Sequence, residues 1–199
     1  MAKTPQNLQA TIMILFITFI TTFLHEANSQ QFSQAISKDK LGLTKMTETL
    51  THLHFYFHDI TGGTNPTAAV VSQSPLKATS KTNFGSVSMM DDPLTEGPDL
   101  NSKLVGKMQG IYGSSSLDEI SYLMVLNILF VDEKYNGSTI GILGRNPPLH
   151  TVREMPIVGG SGVFRFARGY AEARPHSYVV KDGIAIAVVE YNVYILHYN

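Results

Sequence analysis

Apolar and polar residues alternate along most of this chain, and turn-forming residues break the alternation at short intervals. Residues 52–60 (HLHFYFHDI) set the pattern. Leu53, Phe55, Phe57 and Asp59 fall on one face of a strand, and His52, His54 and His58 on the other. Thr61-Gly62-Gly63 and Asn65-Pro66 end it. Further strands are predicted over 67–74, 83–90, 104–112, 119–132, 139–143, 161–171 and 184–196. Asp91-Asp92-Pro93 reads as the stop of the third, and Val158-Gly159-Gly160 as a turn before the seventh. Between the fifth and sixth, Tyr135-Asn136-Gly137 predicts a hairpin with Asn-Gly as a type I′ pair. Eight strands on short connections predict an all-β, eight-stranded antiparallel β-barrel, because closure leaves no exposed edge. Eight strands leave room inside for one small ligand.

The N-terminal end follows a different rule. Residues 11–24 (TIMILFITFITTFL) are an apolar run behind Lys3, followed by Ala27 and Ser29 in small-x-small spacing. This is the pattern of a secretory signal peptide over 1–29, too short for a membrane-crossing helix. A flexible arm is expected over 30–50 and the barrel domain over 51–199. Secretion is further suggested by the glycosylation sequon Asn136-Gly137-Ser138. The chain of 199 residues carries 15 Lys+Arg against 16 Asp+Glu without a basic cluster, which speaks against nucleic acid and anionic membranes as partners. With 43% hydrophobic and 16% charged residues it is not a disordered chain.

There is no cysteine, which removes thiol catalysis, iron–sulfur clusters and thiolate metal sites. His52 and His54 stand at i and i+2 on a strand, but His58 lies about 13 Å further along, too far to complete a site. Neither a metal nor a cofactor is therefore expected. The glycines over 158–162 lack both the Lys of a phosphate loop and the final Gly of a nucleophile elbow.

Three residues carry candidate chemistry. Asp59 closes the apolar face of the first strand: either a poorly solvated pocket acid, its pKa raised, or a cap for the Gly62-Gly63 bend. Tyr112 ends the fourth strand as a phenol able to stack and hydrogen-bond, or as an ordinary barrel aromatic. Arg153, between Pro147-Pro148 and Pro156, is either a cation held over the barrel mouth or a solvated loop charge.

Several segments, in order, resemble the dirigent protein family. They are Phe55-Tyr56-Phe57-His58-Asp59-Ile60 with Asn65-Pro66-Thr67-Ala68, Phe84-Gly85 with Asp91-Asp92-Pro93-Leu94-Thr95, and Gln109-Gly110-Ile111-Tyr112. Tyr135-Asn136-Gly137-Ser138-Thr139, Gly144-Arg145-Asn146, Arg153-Glu154-Met155-Pro156, Ala167-Arg168-Gly169-Tyr170 and 189–194 continue the series. The resemblance implies a dirigent or allene-oxide-cyclase-like barrel, a homotrimer, and an extracellular (apoplastic) plant protein without a redox cofactor. It also implies that Asp59, Tyr112 and Arg153 are the acid, the aromatic and the cation of the pocket, with Phe55, Phe57 and Asn146 as substrate-binding positions. Asn146 stands where the lignan-forming branch carries a second acid, so the chain is more similar to the branches that include pterocarpan synthases.

Two functions follow from the resemblance, both on a small phenolic substrate. One is a stereo-director that orients radicals made by an external oxidase. The other is a hydro-lyase that dehydrates a 2′-hydroxyisoflavanol and closes a ring. A third reading, from the tyrosines of the last strand (Tyr191, Tyr194, Tyr198), is a carbohydrate-binding module.

Overall fold

The computed structural model describes Met13 and residues 32–76 and 78–199, so the expected leader lies, apart from Met13, outside the described residues. The chain divides into two units, Met1–Leu41 and Gly42–Asn199. The described part of the first carries one 3-10 turn, Lys38–Leu41, with no buried side chain. Among the described residues no helix is long and apolar enough to cross a membrane.

The second unit is a closed barrel of nine strands, each hydrogen-bonded to the next and the last to the first. They are β1 (Glu48–Thr61), β2 (Ala68–Ser72), β3 (Val87–Thr95), β4 (Leu104–Ser114), β5 (Tyr122–Phe130), β6 (Thr139–Asn146), β7 (Arg153–Ser161), β8 (Arg168–Lys181) and β9 (Ile184–Tyr198). Closure is made by β1 and β9, antiparallel from Glu48↔Tyr198 to Thr61↔Ala185. The short β2 joins β1 through one parallel pair, Thr61↔Ala68, while β3 also meets β1 directly at Tyr56↔Thr95 and Phe57↔Leu94. The barrel thus has a seam, where β1 and β3 part and β2 is inserted between them.

All-β architecture and closure follow the alternation, but the count is nine rather than eight. The missed strand is β7. Pro156 and Gly159-Gly160 suggested loop and turn, yet Pro156 pairs with Tyr170 and Gly160 with Ile140. Gly160 is required there: a Cβ would lie 2.5 Å from the Phe164 carbonyl oxygen and 2.6 Å from that of Thr139. The expected strand over 161–171 in fact spans a 3-10 turn (Gly162–Phe164) and the start of β8. Nor does Asp91-Asp92-Pro93 stop β3, which continues to Thr95. The Asp91 N–H donates to Thr67 O (2.9 Å), so residue 93, two further on, turns the same edge to the seam. Neither β1 nor β2 pairs with it there, and proline's missing N–H costs nothing. The β5–β6 connection is also not a type I′ hairpin. It runs over 131–138, and of Asn136 and Gly137 only Gly137 has positive φ (77°), whereas type I′ needs both.

Inner faces are apolar, and one end of the barrel is plugged. Phe164 (0% exposed) meets Phe130, Tyr135 and His197 at ring-centroid distances of 5.3, 5.0 and 5.1 Å. Burying a ring of this size is worth about 2–3 kcal/mol. On the outer face, His52 hydrogen-bonds Asn192 (2.9 Å) and His54 pairs with Glu190 (2.8 Å). His58 is not a solvent-facing histidine. It is 1% exposed, and its Nε2–H donates to Thr95 Oγ1 (2.7 Å), which itself donates to Gly97 O (2.7 Å).

Candidate functional site

Opposite the plug, inward side chains from β1 and β3–β7 converge. A cavity of about 220 Å³ is lined by Val70, Gln73, Asn83, Ser86, Ser88, Tyr112, Ser114 and Tyr122. Strand pairing builds its wall: Ser88 is opposite Tyr112 across β3–β4, and Ser114 opposite Tyr122 across β4–β5. The rings of Tyr112 and Tyr122 meet edge to face at 5.2 Å. Burial, and next the charge of Asp59, push the Tyr112 phenol up to about 12, while the Ser88 hydroxyl acts weakly in the other direction. Tyr122 is raised by the same two causes. Both phenols stay protonated and can donate a hydrogen bond.

Asp59 lies inside β1, not at a turn, and Tyr112 and Tyr122 both feel its charge. Its Oδ1 is enclosed and has no hydrogen-bond partner. Burial raises its pKa to about 6, so the carboxyl is substantially protonated in mildly acidic solution.

Arg153 is the first residue of β7 rather than part of the preceding loop, and it is 4% exposed. Its Nη1 donates to Pro148 O (3.0 Å), which is how the Pro147-Pro148 segment holds it, and its Nε has no partner. Burial lowers its pKa, and the Tyr191 phenol partly offsets this. Arg153 pairs with Ala173 and Ala173 with Tyr191, so the small side chain between them leaves the guanidinium and the phenol room to meet. Among the described residues no carboxylate forms an ion pair with Arg153. An enclosed cation with an unused N–H is suited to an oxygen that arrives with a ligand.

The remaining predicted positions separate. Asn146, on the inner face opposite Tyr122, donates to Met124 Sδ (3.5 Å) and leaves Oδ1 unpartnered. Phe55 and Phe57 pack against Tyr191, with ring centroids at 5.6 and 5.9 Å, and form the floor below the acid rather than its rim. Asn136 is exposed in the β5–β6 connection, at the plugged end. Tyr191 points inward (2% exposed), so it is not available to a ligand on the outer surface. Tyr194 on the outer face stacks with His52 (4.7 Å) and with Tyr170 (5.0 Å).

Two groups escaped the sequence reading. Tyr122 could have been found, since it shares the alternation of Met124, Leu126 and Ile128. Asp92 was hidden by the supposed strand stop. It continues the buried series Ser88, Met90, Asp92, Leu94, and is itself 0% exposed. Burial foremost raises its pKa to about 8, against a hydrogen-bonding pull from the Thr67 side chain, and the charges of Asp59 and Asp91 add to the rise.

Fold and site together define a plugged β-barrel with a cavity walled by two phenols at its open end, and with a buried acid and a buried cation on its inner face. Comparison with known proteins gives the family. The family model described as Dirigent-like protein matches residues 50–196, and the chain belongs to that family. It is 49% identical to pterocarpan synthase 1 of Glycyrrhiza echinata over 84% of this chain and 87% of that one. To dirigent protein 21 of Arabidopsis thaliana it is 43% identical over 94% and 97% of the two chains. The solved structure of the pterocarpan synthase dirigent protein GePTS1 superposes with a TM-score of 0.74 at 48% identity, covering 84% of this chain and all of that one.

Proposed function

We propose that this chain is a pterocarpan-synthase-like hydro-lyase, which dehydrates a 2′-hydroxyisoflavanol and closes the ring on one face. The observation that carries this reading is the Asp59 carboxyl, buried near Tyr112 and Tyr122 with its pKa raised to about 6, so that it can hold a proton in mildly acidic solution. Asp59 gives its proton to the departing hydroxyl, which leaves as water. The resulting quinone-methide-type cation is attacked by the substrate's own phenol oxygen, whose proton returns to Asp59. The net change is loss of one water, and no oxidant is consumed. Arg153, with its unused Nε–H, stabilises the substrate oxygen on which negative charge collects. The tyrosine pair orients the aromatic rings, so that one face of the cation meets the nucleophile.

The same reading extends to the protein's setting. The apolar run over 11–24 supports export to the apoplast, where mild acidity keeps Asp59 protonated. A homotrimer is supported by the outer wall, where Met89, Ile111, Val125 and Leu143 pair in one row across β3–β6 and are all exposed. The exposure of Asn136 supports a glycan at its sequon.

The test is incubation of the mature protein with racemic 2′-hydroxyisoflavanol in the absence of oxidant, with substrate and product resolved by chiral chromatography. Conversion of one enantiomer, abolished in Asp59→Asn, is the expected result. No conversion, together with stereoselective coupling of coniferyl alcohol once an oxidase is added, would replace the hydro-lyase with a radical-directing role.

A further inference from the structure

Within the seam of the barrel lies a second carboxyl that the reaction above does not use. The β1–β3 pairing Phe57↔Leu94, continued two residues toward the open end, sets Asp59 opposite Asp92. The strands part there around Thr67, and Asp59 is near enough for its charge to act on Asp92 across the seam. Both lie on the inner face. Asp92 is 0% exposed and within reach of the Thr67 hydroxyl, too loosely placed to make a well-formed hydrogen bond; Asp59 Oδ1 has no partner. Buried carboxyl oxygens without partners are uncommon, and point to a contact made at another stage of the protein's work.

Among the described residues, no cation acts on Asp92 to hold it ionised. Asp59 acts on it from β1 and Thr67 from the connection to β2, and the phenols of Tyr112 on β4 and Tyr191 on β9 feel its charge. Asp91, next to it, points outward, where Lys107 and Gln109 bind it. The Thr67 hydroxyl accepts from the Ile60 N–H (3.0 Å). Asp92 is therefore protonated when Asp59 is not.

We infer that Asp92 is the second acid of this site, a positioning residue whose carboxyl O–H donates to the Asp59 carboxylate once Asp59 has given up its proton. It makes Asp59 a better acid by stabilising the anion left behind, and then releases it when the substrate phenol returns the proton. The barrel thereby holds two acids, although the place of the lignan branch's second acid is taken by Asn146. This inference rests on Asp59 as the acid of the proposed reaction, but its test needs no turnover.

The experiment is titration of the carboxyl groups by ¹³C NMR of the aspartate-labelled protein, in wild type, Asp92→Asn, Asp92→Leu and Asp59→Asn. The wild type should show two late steps, the upper lost in Asp92→Asn and the lower lost in Asp59→Asn, which also moves the upper step down. A hydrogen bond to a charged group is worth about 1.5–3 kcal/mol, so Asp92→Leu should raise the Asp59 step by about one to two pH units. Asp92→Asn keeps a donor and should leave that step within about half a unit. In turnover the same bond predicts a fall in kcat of about 10- to 100-fold for Asp92→Leu, with much of the rate kept in Asp92→Asn. An Asp59 step unmoved in Asp92→Leu, or Asp92 titrating with the surface carboxylates, overturns the inference. If the Leu variant does not fold, wild type and the two Asn variants decide by whether the upper step responds to Asp59. Failure of every variant to turn over substrate would count against the proposed reaction and leave the titration result standing.

Discussion

Replacing Asp92 with Asn should change how the stability of the protein depends on pH, and the size of the change follows from the burial of this one group. A carboxyl whose pKa is higher in the folded than in the unfolded chain stabilises the fold fully at low pH. That stability fades once pH exceeds the unfolded value and is lost as pH rises through the folded value. Here those values are about 4 unfolded and about 8 folded. Linkage at 1.36 kcal/mol per unit then removes about 1–2 kcal/mol by pH 5 and about 5 kcal/mol by pH 9, a difference of about 4 kcal/mol. Asn has nearly the same shape and does not ionise, so it escapes the loss. At about 2–4 °C per kcal/mol for a domain of this size, Asp92→Asn should melt within a few degrees of wild type at pH 5 and roughly 10 °C above it at pH 9. Thermal unfolding followed by circular dichroism at pH 5, 7 and 9 reads this directly. Melting curves that stay parallel across the range would mean that Asp92 ionises freely in the folded protein, and the reasoning from burial would fail.

Three further outcomes are expected. If Asp59 acts as an acid, kcat/KM of the wild type should fall as pH rises through about 6, and Asp59→Asn should lose at least about 100-fold with no remaining pH step. Gly110→Ala should not give a stably folded barrel, because φ is +150° and the new Cβ would lie 2.2 Å from the Val125 carbonyl oxygen. A soluble Ala variant melting within a few degrees of wild type would contradict this. Phe164→Ala should cost about 3–5 kcal/mol, read as a drop in Tm of roughly 10 °C, while kcat measured well below the melt should be unchanged, since the plug lies at the opposite end from Asp59.

Alternation is the part of this structure that the linear order of residues carries. Side chains on a strand point to opposite faces with a period of two, so Leu53, Phe55, Phe57 and Asp59 could be placed on one inner wall from the order of residues alone. The same local rule marked most strands, and the matching segments identified the family. What proline and glycine do depends instead on neighbours that packing brings up from elsewhere in the chain. Each is a turn signal when neighbours are unknown, but Pro93 lies on the unpaired edge of a seam and Gly160 under two carbonyl oxygens, so both belong to strands. Two of the site's groups depended on those decisions. Arg153 became an enclosed cation at the head of β7, and Asp92 became a buried acid within reach of the Asp59 charge. Whether a charged residue sits in water or in a dry cavity is set by the strand beside it, and that neighbour is remote in the chain.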